Sequence, residues 1–107
     1  MNLTLHNHTY ENVHLHWASY ANNRPALIIT SEQGEPLVKT SVNMPEISNI
    51  SPDYILIKDY SENEGILAWL IEHNIVIDTG TVIPSGFIKL NLCKIHPNQL
   101  PEIALLG

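Results

Sequence analysis

Two His-x-His pairs, His6/His8 and His14/His16, stand in the first twenty positions of a sequence with six histidines. Imidazole nitrogens bind Zn²⁺ at ~2.0–2.1 Å, and facing residues on paired strands have Cβ atoms ~5 Å apart. Leu3, Leu5, Val13, Leu15 and Trp17 share one parity, and this period of two predicts two antiparallel strands turning at Tyr10-Glu11-Asn12. A hairpin centred on Glu11 sets His8 opposite His14 and His6 opposite His16, so three of the four can reach one metal, with Glu11 as the nearest base. The same alternation has a plainer reading. The histidines lie on the face opposite the apolar stripe, where solvent-facing polar residues belong. Solvent exposure leads, so no cofactor is expected; a zinc site or metalloenzyme using His6, His8, His14 and His16 is the alternative.

The run Ile75-Val76-Ile77-Asp78-Thr79-Gly80 resembles the active-site signature of retroviral-type aspartic proteases, in which two carboxylates share a proton. In those proteases the motif comes early, with a flap hairpin still to follow, whereas here little sequence remains. Asp and Gly at such a place also serve as turn residues. Asp59, Glu62 and Glu64 form an acidic corner, which suits a helix N-terminus and offers a surface to a partner. Trp69 is either a half-buried core aromatic or an anchor for that partner. Cys93 has no patterned His or Asn and reads as a packed thiol. Phosphate loops, dinucleotide fingerprints and Cys-x-x-Cys pairs are missing from the sequence. No catalytic residue is assigned, and a non-enzyme is expected.

The elements around these residues follow from pattern. Ala26 to Thr30 and Pro36 to Asn43 form a second hairpin around Gly34, and residues 44 to 53, with two prolines, read as a surface crossing. Tyr54-Ile55-Leu56-Ile57 is a short central strand. Ser61 and Glu64 match a capping box, and Ile66, Leu67, Leu70 and Ile71 trace one helical stripe, predicting a helix over about Glu62 to His73 that stops at Asn74. Two short β-type runs flank Asp78-Thr79-Gly80, and Phe87 to Ile95 is the last strand. The expected class is α+β, a mainly antiparallel sheet of about six strands with one helix on a face. Residues 1–107 form a single domain, with a His-rich hairpin over 1–20 and an apolar tail over 96–107 that docks on its own domain or serves a partner, including a second copy.

With 107 residues, 44% hydrophobic and 15% charged, the chain can bury a core and is not a disordered segment. No apolar run approaches a membrane span, no signal-peptide pattern opens the sequence, and one cysteine cannot form an internal disulfide. A cytoplasmic protein is expected. Five basic against eleven acidic residues give a net charge of −6, which disfavours direct nucleic-acid binding because each neutralised phosphate needs a Lys or Arg.

Asn23-Arg24-Pro25-Ala26-Leu27-Ile28, Gly34-Glu35-Pro36-Leu37 and Thr40-Ser41-Val42-Asn43 resemble a family of small domains of unknown function carried by phages and conjugative elements. Asp59, Ser61-Glu62-Asn63, Thr79-Gly80 and Ser85-Gly86-Phe87 continue the resemblance in order, over about residues 20 to 95. It implies a mobile-element accessory protein in the cytoplasm of a bacterial host, with Gly80 and Gly86 serving the fold and no catalytic residues to carry over. The expected function is binding of a host protein, such as a CRISPR effector or another defence protein, with the corner at Asp59, Glu62, Glu64 and Trp69 as the contact.

Overall fold

The structure is a computed structural model that describes residues 1–45, 47 and 50–104. Part of the crossing over 44–53, and the tail's end at 105–107, lie outside the described residues. In chain order the elements are β1 (Leu3–Leu5), β2 (His8–Tyr10), β3 (His14–Ser19), β4 (Pro25–Thr30), β5 (Pro36–Lys39), β6 (Tyr54–Ile57), a 3₁₀ turn (Ser61–Asn63), α1 (Ile66–Glu72), β7 (Val76–Ser85), β8 (Ile88–Ile95), a second 3₁₀ turn (Pro97–Gln99) and α2 (Leu100–Ala104). The protein is α+β, and its strands form an antiparallel ribbon β1-β2 and two three-stranded antiparallel sheets, β3-β4-β5 and β6-β8-β7.

The first hairpin turns elsewhere than expected. His6 and Asn7 take positive φ of 51° and 63°, the pair of values a two-residue type I′ turn requires, and β1 folds back on β2 there. Asn12 is also left-handed, at φ 55°, but it only redirects the chain into β3. All six residues of β3 pair with β4, from His14 opposite Thr30 to Ser19 opposite Pro25, a longer ladder than the three-residue β1 can offer.

Segment 40–42 then ties the two sheets together. Thr40 donates its backbone N–H and its hydroxyl to the Leu27 carbonyl, Lys58 N–H donates to the Thr40 carbonyl, and Ser41 bridges to Ile57. Arg24 clamps the start of β6 on the other side, its guanidinium donating to the carbonyls of Ile50, Ser51 and Tyr54 at 3.1, 3.0 and 2.6 Å. The bonds to Ile50 and Ser51 satisfy carbonyls of a crossing segment outside the strands, and the bond to Tyr54 ties that segment to the first residue of β6.

One core joins both sheets to α1, with Leu3, Trp17, Leu27, Ile29, Ile57, Ile66, Leu70 and Ile95 among its buried members. Leu100 and Ile103 pack on its edge, and Gln99 Oε1 accepts from Trp17 Nε1 at 3.1 Å. The described part of the tail therefore docks on its own domain.

The expected helix over residues 62–73 is shorter and begins differently. Ser61 sits at φ 54° and Gly65 at φ 100°, which breaks the run into a 3₁₀ turn followed by α1. The capping box does not form. Asp59 Oδ1 instead accepts from the backbone N–H of Gly65 and of Leu67, each at 3.0 Å, supplying the capping acceptor that the first turn needs. Asn74, left-handed at φ 56°, closes the other end as the sequence predicts.

Candidate functional site

The structure separates the histidines that the first hairpin was expected to gather. His6 lies in the β1-β2 turn with its ring Nε2 3.2 Å from the Glu62 carbonyl, and His8 is on β2 with its ring edge-on to Tyr10. His14 and His16 are on a different sheet, opposite Thr30 and Ile28. The predicted facing pairs fail because β3 chooses β4, not β2, as its neighbour. Among the described residues, no three His, Cys, Asp or Glu side chains stand together as a metal site.

Asp78-Thr79-Gly80 does not end a strand. It forms a bulge inside β7, where Asp78 faces Cys93 and Thr81 already faces Leu92. Each polar group there serves the bulge: Gly80 N–H donates to Asp78 Oδ1, and the Thr79 hydroxyl donates to the Leu92 carbonyl.

The acidic corner divides by task. Asp59 starts α1, as described, and Glu62 is tied to Lys58 by a 2.6 Å ion pair. That bond holds the Glu62 carboxyl down at about 2, from an ordinary 4.5, and raises the Lys58 ammonium above its usual value. Glu64 is exposed on the same corner. Trp69 is not on it: only 7% of the residue is exposed, and its indole N–H donates to the Asn2 carbonyl at 2.8 Å. Its place in the helical stripe puts it in the core, which corrects its assignment as a partner anchor.

The feature that does face outward is the β7-β8 hairpin. Ser85 pairs with Ile88, so Gly86 and Phe87 are its two turn residues, with Gly86 at φ 63° as the first position of a type II′ turn requires. Phe87 is fully exposed at this tip. Behind it, Val82, Phe87, Lys89 and Asn91 face Asp59 and Tyr60 across an open groove of about 420 Å³. Ile77 and Val82 are also exposed on β7, which is an edge strand of its sheet.

This brings one predicted residue, Asp59, together with Phe87 and Val82, which sequence reasoning placed only as strand residues. The available signal was Phe87 itself, the single phenylalanine of the chain, directly after the turn Ser85-Gly86. A tight turn needs no large apolar side chain. No helix of the described residues is long and apolar enough to cross a membrane. Compared with protein-family models, curated proteins and solved structures, the chain matches none.

Proposed function

We propose that the chain is a mobile-element protein that acts without catalysis, by binding a host protein, and that its target class is a nucleic-acid-handling defence protein such as a CRISPR effector. The observation that carries this reading is Phe87, fully exposed on a two-residue turn and backed by the apolar groove at Val82. Leaving a phenylalanine in water has no folding benefit, whereas an aromatic side chain at the centre of an interface supplies a large share of binding energy.

Charge supports the target class. A net charge of −6 favours fast association with basic clefts that otherwise hold nucleic acid, and Asp59 lines the groove itself. The resemblance over residues 20 to 95 supplies the mobile-element origin.

The test is the plating efficiency of a CRISPR-targeted phage on a host that expresses the chain. The wild type restores plaques, and Phe87→Ser, which leaves the thermal midpoint unchanged, loses the effect. Equal restriction with and without the wild-type chain, across hosts carrying distinct defence systems, contradicts the proposal.

A further inference from the structure

A second cleft, of about 600 Å³, opens between the end of β5 and the 3₁₀ turn before α1. Its volume is in the range of small-molecule sites. Two of the five basic residues of this acidic chain line it, Lys39 and Lys58. Each ammonium lies over a tyrosine ring, Lys39 at 5.7 Å from the Tyr20 centroid and Lys58 at 5.3 Å from that of Tyr60. These contacts set both long side chains beside aromatic walls, with the Lys39 ammonium protons left for another acceptor while Lys58 already donates one to Glu62.

The floor is polar and rigid. Ser41 is 1% exposed and Asn63 3%. The Ser41 hydroxyl accepts from Leu27 N–H and meets the Tyr20 hydroxyl at 3.1 Å, while the Asn63 amide donates to the Lys39 carbonyl at 2.7 Å. The Asn63 bond fixes the backbone of the residue that carries the free ammonium. Among the described residues the only ion pair is Lys58 with Glu62, so Lys39 is left without a carboxylate and Glu62 occupies part of the positive field.

We propose that this cleft binds a small aromatic anion of nucleoside monophosphate size, its phosphate on Lys39 and Lys58 and its flat ring against a tyrosine wall. Lysine ammoniums take phosphate as point charges, and any base offers a face for stacking. Glu62 competes for Lys58, so it acts as a built-in antagonist of the same anion.

That competition gives two substitutions effects of opposite sign. Binding of adenosine 5′-monophosphate is followed by amide chemical shifts and by calorimetry at low salt, with adenosine and inorganic phosphate as partial probes. The monophosphate binds saturably, with shifts at Tyr20, Ser41 and Tyr60, and each partial probe binds at least about tenfold more weakly. Lys39→Ala lowers affinity about tenfold, while Glu62→Gln raises it several-fold. Both residues are exposed, and cooperative melting transitions confirm that both variants are folded. No saturable binding, equal binding of inorganic phosphate, indifference to Lys39→Ala, or weaker binding by Glu62→Gln each overturns the proposal. The plating result for Phe87 is read independently of this titration.

Discussion

Asp59 Oδ1 lies 3.0 Å from the backbone nitrogen of Leu67, eight residues further on, and this bond sets where α1 begins. The same oxygen holds Gly65 N–H, so one carboxylate takes over the task that Ser61 was expected to perform. Asp59→Ala therefore lowers stability by about 1 kcal/mol in urea unfolding. Glu64→Gln, on the same corner but outside this network, stays within about 0.5 kcal/mol.

Arg24 is a structural clamp and not part of a basic surface. Burial lowers the pKa of its guanidinium while the nearby Asp53 carboxylate raises it, and its three carbonyl acceptors hold residues 50–54 against β4. Removing it takes the guanidinium donors from those carbonyls, of which Ser51 alone keeps the Tyr54 N–H, and Arg24→Ala costs about 2 kcal/mol. Arg24→Lys recovers only part of this, because an ammonium cannot reproduce the planar fork. Equal stability of the lysine variant and the wild type argues against the clamp.

The Lys58–Glu62 pair gives a pH signature with a definite sign. The Glu62 carboxyl is depressed from 4.5 to about 2 in the fold, so its contribution is present above 4.5 and fades as pH falls toward 2. Lys58, raised above 10.5, contributes below that value and loses its contribution as pH rises through its raised folded value. The difference in thermal midpoint between wild type and Glu62→Gln therefore shrinks on acidification. It is small throughout and smaller in high salt, because the pair is exposed.

Cys93 is fully buried, and its thiol is pushed up to about 12, first by burial and then by the Asp78 and Asp59 carboxylates. The unfolded thiol ionises from about 9, so above that pH the unfolded state gains and stability falls. At pH 8 the native protein resists iodoacetamide at a rate limited by unfolding, and urea unmasks one thiol. Rapid alkylation without denaturant contradicts this.

Legibility in the sequence followed the locality of each cause. The β4-β5 hairpin was readable because Gly34, at φ 88°, announces its own turn, and Asn74 announces the end of α1. The first hairpin was not, since Asn7 and Asn12 are both left-handed and local chemistry cannot rank them. What decides is β4, a partner more distant in sequence. Asp59 was recognised as part of an acidic corner, but its capping bond spans a break in the helix that Ser61 and Gly65 create through their positive φ. Trp69 falls at the edge of the predicted stripe of Ile66, Leu67, Leu70 and Ile71, and its burial shows only in the tertiary structure, where its indole N–H meets the Asn2 carbonyl just before β1. The groove required the β7-β8 hairpin to fold back beside Tyr60, a tertiary relation with no period or motif to mark it.

The most direct measurement of the binding claim is site-specific photo-cross-linking in a host with active defence systems, with the reactive side chain placed at position 87 or, as a control, at Glu32 in the β4-β5 turn. The hairpin account predicts an adduct with one defence protein at position 87, absent at position 32 and lost when Val82 is changed to Ser. Identical adducts at both positions, or none at position 87 in a host where the chain restores phage plating, would contradict it.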